Sequence, residues 1–412
     1  MRTVGHPVPG PLGSGRDRGH HDDRTGRLAR VGPPLTPGTR TQVKVTPPEL
    51  HIVVPAGGSG TRLWPLSRAG NPKFLHALTG TDRSLLQATF DRLAPLSSPE
   101  HLLVVTGTAH AAGVARQLPD LPERNILVEP LARDSCAAIA LAAAVIEKRS
   151  PGAVMASFAA DHLITDGDEF AHTVGRAVDG ARDGLLMTIG ITPTRPETGY
   201  GYLRCSEPAQ RSVIQKVLEF KEKPAKDVAT RYVESGSYLW NASMFVWRTD
   251  VFLAELAARR PDVAKPILAI AAAWDTPEQE AVLAELWPTV PKVAVEYAVM
   301  EPAAADGLVA TVPGDFGWSD IGDFETLGDL LGTDVGDGGR LFVTAGGKAN
   351  VVVVDGAGVI VVPSDRLVAT LGVNDLIIVD TDDAVLVCRR DRAQDIKRLT
   401  EILRDRGDLD YI

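Results

Sequence analysis

Residues 53–65 read VVPAGGSGTRLWP. The apolar start of this stretch predicts the end of a buried strand, and three glycines follow within four positions. Because glycine carries no Cβ atom, the backbone N–H groups of such a loop can approach a phosphate closely. The stretch therefore predicts a phosphate-binding loop directly after a strand, and a plain turn is the alternative.

Two cations favour the phosphate-binding loop over the plain turn. Arg62 presents a planar fork of donors that suits phosphate oxygens, and Lys73 follows a short distance downstream. Two better-known loops are excluded by the residues present. A Walker A loop requires a lysine directly after its last glycine, where Thr61 stands, and a dinucleotide fingerprint requires a third glycine where Leu63 stands.

From residue 50 onward, short apolar runs alternate with helical patterns. The predicted strands are 51–55, 102–106, 153–159, 185–191 and 213–220. The predicted helices are 84–94, 108–117, 134–149, 168–182, 225–235 and 250–260. Such alternation predicts an α/β fold with a Rossmann-like, mostly parallel sheet and helices on both faces. Ligands in such sheets bind outside the carboxyl ends of the strands.

Composition divides the chain into three predicted parts. Residues 1–48 carry 8 Lys+Arg, 3 Asp, 8 Gly and 8 Pro with almost no apolar periodicity, so we expect a disordered extension. Residues 49–335 form the predicted α/β domain. After a glycine-rich stretch at 333–347, residues 336–412 show closely spaced apolar runs, which predict a small β module that ends in a helix at about 391–405.

Charge, cysteine content and hydropathy exclude several classes of protein. The formal net charge of −10 argues against nucleic acid as the main partner. No apolar run approaches the roughly 18 residues that a membrane span needs, so we expect no membrane partner. The three cysteines show neither CxxC pairing nor histidines at zinc-ligand spacing, which favours a reducing cytoplasm over a disulfide framework or a zinc site.

Six further motifs follow the loop in order. They are EPLARDS at 129–135, ADH at 160–162, RPETGYGY at 195–202, FKEKP at 220–224, WN at 240–241 and GWSDIG at 317–322. The first loop, from Gly57 to Lys73, resembles the signature of the sugar-1-phosphate nucleotidyltransferase superfamily. The ordered set resembles, within that superfamily, the mannose-1-phosphate guanylyltransferases.

This resemblance implies a reaction and a set of partners. The family transfers GMP from GTP to mannose 1-phosphate with Mg²⁺, so GTP and mannose 1-phosphate are the expected partners. The C-terminal module resembles the short left-handed β-helix of single-function family members and is too short for an added isomerase domain. We expect it to pack against the catalytic domain or against a second subunit in a homodimer.

The resemblance also assigns roles to individual residues. The expected catalytic residues are Arg62, Lys73, Asp161 and Lys223. The expected nucleotide-binding residues are Gly57, Gly58, Ser59, Gly60, Thr61, Glu129, Arg133 and Ser135. The expected sugar-binding residues are Gly199, Tyr200, Glu222 and Asn241. The expected magnesium ligands are Asp161 and Asp320, because Mg²⁺ prefers hard oxygen ligands and takes only one or two carboxylates. Ordinary turn or capping chemistry is the alternative for both aspartates.

The chain departs from the family pattern at a few positions. Asp134 stands where the family usually has Asn, Ala137 where it has Pro, and Ser243 where it has Gly. Because no predicted charged site residue is missing, these departures affect specificity and rate more than reaction class. Two rival interpretations are a sister enzyme with another nucleotide or hexose 1-phosphate, and a non-catalytic regulator that binds a sugar nucleotide.

Overall fold

The computed structural model describes residues 50–58, 60–207, 213–335, 339–341 and 350–412. The predicted extension 1–48, the loop residue Ser59 and most of the glycine-rich stretch 333–347 lie outside the described residues. Within them, no helix is both long and apolar enough to cross a membrane.

The strands and helices of the described chain follow in order. The strands are β1 (Leu50–Ala56), β2 (Leu102–Gly107), β3 (Ile126–Glu129), β4 (Val154–Ser157), β5 (Leu163–Ile164), β6 (Leu186–Ile191), β7 (Gly201–Cys205), β8 (Gln215–Lys221), β9 (Tyr238–Arg248), β10 (Val309–Gly314), β11 (Trp318–Ser319), β12 (Thr333–Val335), β13 (Gly339–Leu341), β14 (Val351–Val354), β15 (Ile360–Val362), β16 (Val368–Leu371), β17 (Leu376–Asp380) and β18 (Val385–Arg389). The helices are α1 (Leu85–Leu93), α2 (Thr108–Gln117), α3 (Asp134–Arg149), α4 (Gly167–Arg182), α5 (Lys226–Ser235), α6 (Thr249–Arg259), α7 (Pro261–Ala273), α8 (Gln279–Leu286), α9 (Glu301–Ala305), α10 (Phe324–Leu331) and α11 (Lys397–Arg406).

The main sheet has the strand order β3-β2-β1-β4-β9-β6-β10-β8-β7. Strands β3, β2, β1 and β4 are parallel neighbours, and β6 pairs in parallel with β10. Strand β9 runs antiparallel between β4 and β6 and joins the two parallel groups. The predicted Rossmann-like α/β fold is confirmed, with β9 as a central strand that the sequence patterns did not identify.

Helices cover both faces of this sheet because alternate strand residues are apolar on each face. Val53 and Leu103 face the core formed with the alanine-rich helix α3 and with α6 and α7. Ile52 and Val104 face a second core formed with α1, α2 and α4. Parallel strands buried on both faces are expected to be apolar throughout, as β1 and β2 are.

The C-terminal module is built from short parallel rungs. Residues Ile360 and Ile377 pair across β15 and β17, and Val351 and Val368 pair across β14 and β16. Strand β18 closes one edge of the module by pairing antiparallel with β17. A run of 3₁₀ turns from Arg390 to Ile396 then leads into α11, so the predicted terminal helix begins as a tighter helix.

One hydrophobic core joins the module to the glycine-rich loop. Leu63 and Trp64, directly after the loop, pack in one cluster with Ile360, Val379 and Ile396 of the module. Polar contacts reinforce this packing. The indole N–H of Trp64 donates to the carbonyl of Tyr411 at 2.6 Å, and Arg68 forms a bidentate ion pair with Asp383 at 2.9 and 2.6 Å.

Because this core is shared, we predict that damage inside the module destabilises the whole described chain. Ile360 is fully buried, so Ile360→Ala should lower the free energy of unfolding by about 2–4 kcal/mol through the cavity it creates. Chemical denaturation followed by circular dichroism should show one cooperative transition that shifts as a unit. The matched control is Val352→Ala, at an exposed position of the same module, which should cost less than about 0.5 kcal/mol. Two separate transitions, only one of them shifted, would contradict the shared core.

Candidate active site

The glycine-rich loop leaves β1 at Ala56 and turns sharply at Gly60. Gly60 has φ +62°, and a Cβ atom there would lie 2.7 Å from Cβ of Lys73, so glycine is needed for both conformation and space. No described atom lies within 4 Å of a Cβ built on Gly57 or Gly58. The backbone of the loop therefore faces open space, as a site for a phosphate requires.

Lys73 joins three of the predicted motifs through one ammonium group. Its Nζ lies 2.9 Å from Oδ2 of Asp161 and donates to the backbone carbonyl of Asp320 at 2.5 Å. Its side chain is only 7% exposed. Burial raises the pKa of Asp161, but the charge of the Lys73 ammonium and its hydrogen bond to this carboxylate outweigh burial and hold the pKa below its usual value. Asp161 is therefore an anion at neutral pH.

A cavity of about 390 Å³ opens beside this ion pair. Four of the residues with expected charged roles line it, namely Arg62, Lys73, Asp161 and Asp320. The other lining residues are Gly60, Thr61, His162, Gly322 and Lys397. Strands β1 and β4 are parallel neighbours, so the loop after β1 and Asp161 after β4 meet at the same carboxyl edge, as the sequence predicts.

A chain of aromatic contacts leads from this cavity to the sugar-binding motifs. Trp318 donates its indole N–H to Nδ1 of His162 at 3.2 Å, and burial lowers the pKa of His162 to about 4, so this imidazole is neutral. The ring of Tyr200 packs against the rings of Trp318 and Trp240. Its hydroxyl donates to Oδ1 of Asp320 at 2.6 Å and so fixes one oxygen of that carboxylate.

Glu222 and Lys223 form a second charged cluster. Oε1 of Glu222 lies 3.0 Å from Nζ of Lys223, while Oε2 is buried without a hydrogen-bond partner among the described residues. Burial and the nearby carboxylate of Glu296 raise the pKa of Glu222 to about 7. A Cβ atom on Gly201 would lie 2.5 Å from this Oε2. Glu222 therefore has one carboxylate oxygen without a hydrogen-bond partner among the described residues, and this oxygen lies close to the backbone of Gly201.

Lys223 does not line the cavity of Arg62 and Lys73, but one residue joins the two clusters. The backbone N–H of Lys223 donates to the carbonyl of Tyr200 at 3.2 Å, the residue whose hydroxyl binds Asp320. Asn241 completes this side of the site. Its Oδ1 accepts from the hydroxyl of Thr188 at 2.7 Å, and its amide nitrogen donates to the hydroxyl of Ser243 at 3.5 Å. The second N–H of this amide is the donor available to a ligand.

The predicted base-binding residues begin at the end of β3 and continue into α3. Glu129 is 8% exposed, and burial raises its pKa to about 7. Arg133 donates to the carbonyl of Pro288 at 2.7 Å, and the hydroxyl of Ser135 accepts from the backbone N–H of Val295 at 2.9 Å. These two side chains hold the segment 288–295 against the start of α3, and neither lines the cavity beside the glycine-rich loop.

Two carboxylates that sequence reasoning missed lie beside Glu222. Glu296 is buried and accepts from the hydroxyls of Ser243 at 3.0 Å and Ser135 at 3.4 Å. Glu301 accepts from the backbone N–H of Glu222 at 2.8 Å. Both glutamates follow α8, where Glu296 opens a π-helical turn. No motif or regular periodicity indicated them, because their role depends on contacts with distant strands.

Residues 52–333 match the family described as Nucleotidyl transferase, and residues 349–403 match the MannoseP isomerase/GMP-like beta-helix domain. The chain is 39% identical to a mannose-1-phosphate guanylyltransferase of Escherichia coli K12, over 87% of this chain and 74% of that protein. It is 38% identical to mannose-1-phosphate guanylyltransferase ManC of Salmonella typhimurium LT2, over the same shares of the two chains. The chain belongs to the mannose-1-phosphate guanylyltransferase family.

A solved structure agrees with this membership. The Thermus thermophilus protein described as mannose-1-phosphate geranyltransferase superposes with a TM-score of 0.76 at 30% identity, covering 86% of this chain and 99% of that one. This member of the guanylyltransferase family is accordingly a nucleotidyltransferase enzyme with a β-helix-like C-terminal domain.

Lys223 and three residues close in sequence to predicted site residues of this nucleotidyltransferase have a left-handed backbone conformation, which non-glycine residues rarely adopt. Lys223 has φ 44°, Asp134 φ 67°, Ser243 φ 51° and Ile321 φ 46°. The value at Ser243 gives a physical reason for the glycine that the family pattern has at this position. Ile321 is β-branched and directly follows Asp320, so the fold holds this aspartate in a strained turn.

The raised pKa of Glu222 predicts a pH-dependent gain in stability on its neutralisation. In the folded state this carboxyl keeps its proton up to about pH 7, whereas the ordinary pKa of a glutamate is 4.5. The protonated Glu222 carboxyl therefore makes its full contribution to the free energy of unfolding below pH 4.5. This contribution is lost as the pH rises through about 7, where the buried carboxyl ionises. Glu222→Gln should raise the free energy of unfolding at about pH 8 by about 2 kcal/mol and change it little at about pH 5.

Thermal unfolding of the wild type and of Glu222→Gln at both pH values checks this expectation. The matched control is Glu234→Gln at an exposed position of α5, which should shift the midpoint equally at the two pH values. A gain for Glu222→Gln of the same size at both pH values would show that desolvation does not govern this carboxyl.

Proposed function

We propose that this enzyme transfers GMP from GTP to mannose 1-phosphate and releases pyrophosphate. The observation that carries the proposal is the cavity beside the open glycine backbone, where Arg62, Lys73, Asp161 and Asp320 face one space. A polyphosphate needs backbone donors and cations together, and a metal that bridges phosphates needs carboxylates beside them. This cavity supplies all three kinds of group.

The reaction follows from the positions of these charges. A phosphate oxygen of the sugar phosphate attacks the α-phosphorus of GTP in line with the leaving group. A new P–O bond forms there, and the α–β bridging bond breaks with its electron pair leaving on pyrophosphate. Because the attacking oxygen is already an anion near neutral pH, no general base is required. The protein's contribution is positioning and charge neutralisation, with Arg62 and Lys73 facing the triphosphate.

The second cluster suits the sugar 1-phosphate. Lys223 is about half exposed. Partial burial lowers the pKa of its ammonium, but the carboxylate of Glu222 outweighs burial and raises that pKa. The ammonium is therefore charged and available for the sugar phosphate. The orphan Oε2 of Glu222 would accept from a sugar hydroxyl, and Asn241 would donate through its amide nitrogen. Gly199 and Tyr200 would bring backbone close to the ring.

Guanine recognition would fall to Glu129. A buried carboxylate that accepts from guanine N1 and N2 matches this base and does not match adenine. Arg133 and Ser135 remain proposed nucleotide contacts, although both side chains are engaged with the segment 288–295. A cytoplasmic location and a homodimer, expected from the sequence, stay predictions.

The donor set fits Mg²⁺. Asp161 and Asp320 would hold it, since both carboxylates line the cavity, and Mg²⁺ usually keeps phosphate and water oxygens as its other ligands. Among the described residues no group of three or more His, Cys, Asp or Glu side chains is placed to hold a metal ion, so Asp161 and Asp320 are the protein ligands that we propose. When bound, the ion would supply charge stabilisation between the nucleotide and sugar phosphates.

Pyrophosphate release tests the substrate proposal directly. The purified enzyme is assayed with four nucleoside triphosphates against mannose, glucose and galactose 1-phosphate, each with Mg²⁺. GTP with mannose 1-phosphate should give the highest kcat/KM. A higher value for UTP or dTTP with glucose 1-phosphate would replace the proposal by a sister activity, and no release from any pair would favour a regulator.

Removal of either loop cation should slow turnover strongly. Arg62→Ala and Lys73→Ala should each lower kcat by about 10²–10³, because a fixed positive charge at the phosphates is lost. The two variants should differ in stability. Arg62 makes no side-chain hydrogen bond with the rest of the described chain, whereas removal of Lys73 leaves the Asp161 carboxylate without its ion-pair partner.

Steady-state kinetics and thermal unfolding measure both effects. Arg62→Ala should keep the wild-type midpoint, and Lys73→Ala should lower it. The matched control is Arg83→Ala, because Arg83 forms only an exposed ion pair with Asp91. Near-normal turnover of Arg62→Ala or Lys73→Ala would show that the residue concerned does not bind the phosphates.

A further inference from the structure

One residue of the C-terminal module lines the phosphate cavity. Lys397, the first residue of α11, lines the same cavity as Gly60, Thr61 and Arg62. The residue lies far from the loop in sequence and belongs to the module that matches the β-helix-like family, outside residues 52–333. No motif in the sequence pointed to it.

We propose that Lys397 is a further phosphate-binding residue of this enzyme, which neutralises the β- and γ-phosphates of the nucleotide and the departing pyrophosphate. The proposal rests on the nucleotidyl transfer proposed above and assigns part of its phosphate site to the C-terminal module. The module would thus complete the active site instead of only packing against it.

The charges in the cavity favour a binding role for this lysine. The ammonium of Lys73 is already engaged by the Asp161 carboxylate and the Asp320 carbonyl. Arg62 and Lys397 make no side-chain hydrogen bond or ion pair with any residue that the structure describes. A polyphosphate held beside Lys73 would therefore give Arg62 and Lys397 each a charge-assisted partner that neither has among the described residues.

The position of Lys397 relative to the loop is held by packing. Its neighbour Ile396 is 2% exposed and shares one core with Leu63 and Trp64, the residues directly after the loop's phosphate-facing part. The bond from the Trp64 indole to the Tyr411 carbonyl ties the end of the chain to the same place. The packing of Ile396 fixes the backbone of the next residue, Lys397, before substrate arrives, which lowers the entropy cost of binding.

The same geometry indicates which phosphates Lys397 faces. It lines the cavity with Thr61 and Arg62 of the glycine-rich loop, whereas Lys223 and Glu222 do not line that cavity. The sugar phosphate is proposed to lie at Lys223. Lys397 therefore belongs to the nucleotide end of the site, where pyrophosphate leaves, and its loss should affect GTP and pyrophosphate more than the sugar phosphate.

The test compares Lys397→Ala with two matched variants. Lys397→Arg keeps the positive charge, and Arg398→Ala removes a neighbouring exposed cation that does not line the cavity. In the forward direction, Lys397→Ala should raise the KM for GTP by about tenfold, the loss expected for one charged hydrogen bond. In the reverse direction the KM for pyrophosphate should rise similarly. The KM for mannose 1-phosphate should stay within about twofold.

Lys397→Arg should recover most of the GTP affinity, and Arg398→Ala should match the wild type. Thermal unfolding of all three variants should be unchanged, since the side chain is exposed. Lys397→Ala with wild-type KM values for GTP and pyrophosphate, or with a loss that Arg398→Ala reproduces, would overturn the proposal. A change confined to the KM for mannose 1-phosphate would also overturn it.

A binding measurement separates this proposal from the proposed function. Calorimetric titration of wild type and Lys397→Ala with magnesium pyrophosphate requires no turnover. Weaker pyrophosphate binding by Lys397→Ala than by the wild type supports the phosphate-binding role of Lys397. This holds even if the wild type is inactive with GTP and mannose 1-phosphate, because that result would contradict only the proposed function. Equal pyrophosphate binding by both proteins overturns the role of Lys397, whatever the enzyme's substrates are.

Discussion

The arrangement of the site depends on the buried ammonium of Lys73. One cation holds the carboxylate that follows β4 and the backbone that carries Asp320, so three segments far apart in sequence meet at one point. A buried charge without partners would be costly, and here both partners are oxygens. Gly60 packs closely against Cβ of the same lysine. The positions of the glycine-rich loop, of Lys73 and of the two aspartates therefore depend on one another.

Local patterns predicted much of the fold. The α/β alternation and the helix boundaries of α2 and α3 follow from apolar periodicity, which neighbouring residues alone determine. Strand β9 was missed because Asn241 and Ser243 interrupt its apolar run. Its position between β4 and β6 depends on long-range pairing, which a local pattern does not contain.

The sequence predicted a site residue only where a charged or polar side chain belongs to a recognisable motif. Arg62, Lys73, Asp161 and Asp320 belong to recognisable motifs, and the structure brings their side chains to one cavity. Ser59 lies outside the described residues, so its expected contact stays a prediction. Glu296 and Lys397 carry no motif, since a buried acid after a π-helical turn and a lysine on a terminal helix look ordinary in sequence. Only the tertiary contacts distinguish them.

The shared core also explains why strain persists near the phosphates. Ile321, at φ 46°, is fully buried in the same cluster as Leu63 and Trp64. A β-branched residue in this conformation is unfavourable by itself and persists only when its surroundings over-determine it. The module supplies much of those surroundings through Ile360 and Ile396. Burial of apolar side chains from the end of the chain therefore holds Asp320 beside Lys73, which connects the packing of the module to the geometry of the phosphate cavity.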